Sequence, residues 1–133
     1  MLGQKLAQES GRVTSRRVLR ADGPAAVEIS FAAEGTMLGV NYRDIGTYES
    51  VIRADGTIFG NGQGVVIGGG GEMATWKGQG VGTFTKDGGV EFRGAVYFST
   101  VSPVWQQLNK VAAVFEYSEK ADDTTQLETW EWR

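Results

Sequence analysis

Two stretches of this chain place glycine at every second position: Gly60, Gly62 and Gly64, then Gly78, Gly80 and Gly82. A period of two is that of a β-strand, in which alternate residues share a face. Each stretch therefore reads as a strand with one bare surface. Joined by a turn at Gly68 to Gly71, the two are expected to pair antiparallel with Gly60 opposite Gly82, Gly62 opposite Gly80 and Gly64 opposite Gly78. All six glycines then lie on one side. Glycine inside a strand costs roughly 0.5–1 kcal/mol relative to alanine, so six cost on the order of 3–6 kcal/mol, comparable to the stability of a modest domain. Three features can compensate: sharp barrel curvature, a bulky element flush on the bare backbone (the short helix or another subunit), or space kept for a ligand. The opposite face carries Asn61, Gln63, Lys77 and Gln79. These four are solvated if the glycines face inward, and line the interior if the glycines face a partner.

A length of 133 residues fits one domain around one core, expected to span 1–133 with residues 1–10 as a loosely ordered extension. Turn signals recur at Ser10-Gly11, Asp22-Gly23-Pro24, Glu34-Gly35, Asp55-Gly56, Gly68 to Gly71, Asp87-Gly88-Gly89 and Ala121-Asp122-Asp123. The β-branched and aromatic runs between them predict eight strands, near 12–20, 25–33, 37–53, 57–67, 72–86, 90–101, 110–118 and 124–132. The fold class is thus all-β, a single antiparallel barrel of about eight strands. Alternation is clearest where Val90, Phe92, Gly94, Val96 and Phe98 define a core face, and again at Val111, Ala113, Phe115 and Tyr117. Trp130 and Trp132 share one face of the last strand and are expected in the core. One short helix is expected near 103–108, with Ser102 as its cap, Pro103 in its first turn, Trp105 and Leu108 facing inward, and Asn109 ending it. It is placed to plug one end of the barrel.

The chain has no Cys and no His, which removes disulfides, thiolate chemistry, Cys zinc sites and the commonest general base. A net charge of −3 argues against a nucleic-acid or anionic-membrane surface. The ends carry opposite signs: Lys5, Arg12, Arg16, Arg17 and Arg20 against Glu9 at the start, and six acids against Lys120 and Arg133 from 116 onward. In a closed barrel those ends adjoin, so they are expected to pair across the seam. The first ten residues lack a signal-type apolar core, and no run reaches the roughly 20 apolar residues of a membrane span, so the expected location is the cytoplasm.

Gly-rich segments invite a phosphate-loop reading, but no Gly-x-Gly-x-x-Gly leads into a long helix and no Gly-Lys-Ser/Thr follows. Between Asn41 and Glu49, Tyr42, Asp44 and Tyr48 fall on one face and Arg43 and Glu49 on the other, where the latter two look like a surface pair. Glu116 and Glu128 are near enough in sequence to form a carboxylate dyad, yet Glu116 alternates with core residues and reads as exposed. Asp122-Asp123 alone is too little for calcium. No metal, cofactor or catalytic residue is expected.

The Gly60-Asn61-Gly62-Gln63-Gly64 and Gly78-Gln79-Gly80-Val81-Gly82 runs, set among eight strands, resemble the small barrels of the allene oxide cyclase and dirigent type over about 25–132. That resemblance implies a mostly apolar lumen, and in enzymatic members the steering of reactive intermediates and trimer formation; none of their functional residues matches a position here. The expected function is binding of a small apolar or aromatic molecule, oriented by Tyr42, Tyr48, Asn61, Gln63, Trp76, Gln79 and Tyr117. The alternatives are a cofactor-free cyclase or isomerase, and a module that self-associates through its glycine face; a homo-oligomer, dimer or trimer, is expected. Binding demands a cavity of roughly 300 Å³, and catalysis also demands a buried ionisable group with a displaced pKa.

Overall fold

Strand alternation resolves into eight strands in the computed structural model, which describes residues 1–133. They are β1 (Leu2–Arg20), β2 (Ala26–Met37), β3 (Val40–Ile52), β4 (Ile58–Gly68), β5 (Met73–Phe84), β6 (Val90–Thr100), β7 (Ala113–Glu119) and β8 (Thr124–Trp132). Each pairs antiparallel with the next, and β8 pairs with β1, so the sheet closes into a barrel with no free edge.

Closure depends on a segment that the sequence left loose. Residues 2–10 are not an extension but the first half of β1, with Ala7 opposite Thr129 and Glu9 opposite Leu127 on β8. The opposite charges meet across this seam as expected. Lys5 Nζ lies 2.5 Å from Glu128 Oε2, and Arg16 donates to Asp123 Oδ1 at 2.8 Å. The turn expected at Glu34-Gly35 falls instead at Leu38-Gly39, where both residues have positive φ (50° and 80°), as a two-residue hairpin twisting with its strands requires. Gly35 stays in β2, where its bare Cα lets β1 pass so close that a Cβ would overlap the Gln8 carbonyl. Arg43 does not pair with Glu49; on β3 its cross-strand neighbour is Glu34.

A 3₁₀ helix (Pro103–Lys110) between β6 and β7 caps one end. Trp105 and Leu108 are fully buried among Leu6, Met37, Val66 and Ala74, and Trp105 Nε1 donates to the Met37 carbonyl at 2.9 Å. Ser102 precedes the helix without a side-chain cap; its Oγ accepts the Met73 amide. Asn109 lies inside the helix and ties it to β6, exchanging two bonds with the Thr100 backbone at 2.9 Å each.

The six ladder glycines face the lumen, and their register differs from expectation by two residues: Gly60 pairs with Gly80, Gly62 with Gly78, and Gly64 with Trp76. A shift of two preserves the facing, because side chains alternate with that period. What lies on the bare backbone is neither the helix nor another subunit but the barrel's own rings. A Cβ on Gly62 would sit 2.8 Å from Tyr48 Cβ, one on Gly82 2.7 Å from the Phe92 ring, one on Gly80 3.1 Å from Phe115, and one on Gly64 would overlap the Trp76 indole. On β8 the inward residues are Thr125, Leu127 and Thr129, so Trp130 and Trp132 point outward and Trp132 is exposed.

Two substitutions test this packing. Trp105→Ala removes a fully buried ring and should cost about 3–5 kcal/mol in urea denaturation, against less than about 0.5 for Trp132→Ala. Gly64→Val must displace Trp76 and should cost about 1–3 kcal/mol.

Candidate functional site

Between the helix plug and the far mouth lies a cavity of about 80 Å³, walled by aromatic rings and by the backbone of Gly60, Gly62, Gly78 and Gly80. This is well short of the roughly 300 Å³ that a drug-sized ligand needs. Tyr42, Tyr48, Trp76 and Tyr117 all line it. The amides do not: Asn61 and Gln63 point outward, and Gln79 is exposed where it borders the wall between Gly78 and Gly80. The inward glycine face also rules out a contact between copies through that face.

The polar centre of the lumen is a pair of carboxyl groups. The inward phase of β1 (Ala7, Glu9, Gly11, Val13) delivers Glu9, and that of β3 (Tyr42, Asp44, Gly46, Tyr48) delivers Asp44. Both acids are 2% exposed and adjacent in the lumen, so that the Asp44 charge bears directly on Glu9. Tyr42 Oη donates to Glu9 Oε1 at 2.6 Å, and Trp76 Nε1 donates to Asp44 Oδ1 at 2.8 Å. Glu9 Oε2 is buried with no donor facing it. Burial, reinforced by the adjacent Asp44 charge, holds the Glu9 carboxyl well above the usual range; burial also raises Asp44, whose bonds from Glu9 and Trp76 oppose the rise. The pair thus keeps one proton into a pH range where exposed acids have lost theirs, and Glu9 carries it toward Asp44.

A third buried acid, Glu119, sits toward the opposite mouth. Its Oε2 accepts Tyr48 Oη at 2.5 Å and Tyr117 Oη at 2.8 Å, while Arg16 lies 3.7 Å from its Oε1. Burial first, then the Glu119 charge, pushes both phenols above their ordinary value, so they remain neutral donors. Glu116 and Glu128 do face each other across β7 and β8, but on the outer surface. Sequence reasoning placed Asp44 on the tyrosine face without assigning it a role, and counted Glu9 and Glu119 only as terminal charges; their alternation with Ala7, Gly11 and Val13, and with Phe115 and Tyr117, was the available signal.

No family model matches this chain, and no curated protein does. Solved structures of similar shape do exist. A conserved protein of unknown function from Rhodopseudomonas palustris superposes with a TM-score of 0.81 at 15% identity, covering 99% of each chain. A protein of unknown function from Clostridium acetobutylicum gives 0.85 at 15% identity over 98% of each. A beta-barrel like protein from Acinetobacter baumannii gives 0.83 at 14% identity, over 100% of this chain and 96% of that one. At such identities the likeness is one of fold. None of the three is named as an allene oxide cyclase or dirigent protein, so the earlier resemblance is supported at the level of a small barrel. No helix is long and apolar enough to cross a membrane.

The protonated pair gives stability a pH signature. The folded pKa of Glu9 lies above its ordinary value of 4.5, so its contribution is whole below that value and is lost as pH rises through the folded one. Glu9→Gln keeps a donor toward Asp44 and an acceptor for Tyr42 without the titration. In urea denaturation from about pH 5 to about pH 9, the variant should gain steadily on the parent; a constant difference would contradict the shared proton.

Proposed function

We propose that this protein is a non-catalytic receptor for one small organic molecule held in the barrel lumen. The observation that carries this reading is an apolar, ring-walled cavity with a single polar centre, Glu9 and Asp44. Rings and bare backbone supply dispersion contact, and the acid pair with Tyr42 fixes one polar end of the ligand. Volume limits the ligand. A cavity of about 150 Å³ is needed to hold benzene, so 80 Å³ admits molecules smaller than benzene unless a ring moves. Orientation comes from the acid pair rather than from Asn61 and Gln63, which are outside.

One observation favours a second reading. A shared carboxyl proton beside an apolar cavity is placed for general acid–base work, as a cofactor-free isomerase requires. The two readings separate in deuterium oxide: exchange at the carbon next to the carbonyl of a small ketone, accelerated by the protein and lost in Asp44→Asn, supports catalysis, whereas binding without exchange leaves the receptor.

Trp76 reports on the lumen directly, since its indole lines the cavity while Trp132 is exposed. Titration with a panel of alcohols and amides of about two to four heavy atoms should perturb Trp76, and Gly60→Ala, whose methyl would press on Phe92 at 3.2 Å, should weaken binding about tenfold. A panel without any effect on Trp76, or undiminished affinity in the variant, would overturn the lumen as the binding site.

A further inference from the structure

The lumen is electrically one-sided. Glu9, Asp44 and Glu119 are buried in the barrel, whereas no Lys or Arg lines the cavity and the chain has no His. The nearest cation, Arg16, stands half-exposed at the mouth and is engaged by Asp123 and Glu119. Eight aromatic rings contribute to the cavity wall, and the face of such a ring carries the negative end of its quadrupole. Acids and ring faces of this kind together attract one class of guest, an organic cation.

A second observation is independent of the count of acids. Glu9 Oε2 is buried, belongs to a residue lining the cavity and has no protein donor. A proton is the smallest cation that satisfies it; an ammonium group is a larger one. The 80 Å³ available corresponds to about three water molecules at roughly 30 Å³ each, and therefore to a cation of about three heavy atoms. Resting on the receptor reading above, we infer that the lumen binds a small alkylammonium ion, its charge against Glu9 and Asp44 and its alkyl groups among Trp76, Phe31 and Phe115.

Such a guest takes the place of the proton held by the pair, so binding releases that proton and strengthens as pH rises. The groups facing Glu9 that bear on this are Asp44 and Tyr42 from β3 and, more distantly, Tyr117 from β7; the helix plug contributes no titratable group to the cavity. Glu119, with Tyr48 and Arg16, lies toward the mouth and is satisfied by its own donors.

The test is a nuclear magnetic resonance titration of the full chain, reading the Trp76 indole N–H, which is bonded to Asp44. Three probes suffice: ethylammonium, dimethylammonium, and ethanol as the neutral molecule of nearly the same shape as the first. The expected result is binding of the cations at least about tenfold tighter than the alcohol, with a gain of up to about tenfold per pH unit while the pair stays protonated. Glu9→Gln should weaken the cations about tenfold more than it weakens the alcohol, and a dispersed aromatic spectrum of the free variant shows that its lumen is intact. Equal affinity for alcohol and cations, or cation binding indifferent to pH and to Glu9→Gln, would overturn the cation assignment while leaving a lumen receptor. No binding of any probe would overturn this inference; failure of the broader neutral panel as well would remove the receptor reading.

Discussion

An aromatic ring packed against backbone that has no side chain is the contact on which this barrel depends. Trp76 against Gly64, Phe115 against Gly80, and Phe92 against Gly60 and Gly82 each occupy volume that a Cβ would contest. The entropy lost by glycine in a strand is offset by ring contacts that no other residue would permit. The rings then engage one another, Phe31 with Trp76 at 6.2 Å and Tyr48 with Phe92 at 5.5 Å between centroids. One consequence is chemical. With Trp76 seated on Gly64, its indole nitrogen reaches Asp44, so glycine placement and the acid pair form one structural unit.

Strand number, barrel class, the helix plug and the charge seam were all legible, because each rests on local alternation or on the ends of a closed sheet. The register of β4 on β5 was not. A ladder of identical glycines looks the same after a shift of two, and only the bulk of Trp76 opposite Gly64 distinguishes the observed pairing. The first half of β1 was hidden for a different reason. Leu2 to Ser10 contains no β-branched residue, and it is extended because β2 and β8 pair with it on either side. Leu38 in a positive-φ turn likewise runs against propensity; it packs beside the plug, which a local rule does not register.

The site was half legible. Alternation correctly sent Tyr42, Tyr48, Trp76 and Tyr117 inward, and the same phase, followed strictly, sends Asn61, Gln63 and Gln79 outward. Asp44 was placed on the tyrosine face without a role, whereas Glu9 and Glu119 escaped because an acid in a strand is ordinarily solvated, and the exceptions show only when the phase of its neighbours is trusted over its polarity. Glu9 is the plainest case, lying two residues from Gly11 and from Ala7, both inward. A barrel of this size normally hides apolar chains; here it hides acids, and burial lets the Glu9 and Asp44 pair hold one proton.

Carboxyl carbon shifts of Glu9 and Asp44, followed by nuclear magnetic resonance across the pH range, test the account most directly. A buried pair sharing one proton predicts that Glu9 stays protonated well above the range of exposed glutamates and that Asp44 shows a coupled second transition. Two independent transitions at ordinary carboxyl values would mean that solvent screens the two groups from each other, and a buried pair sharing one proton would not exist.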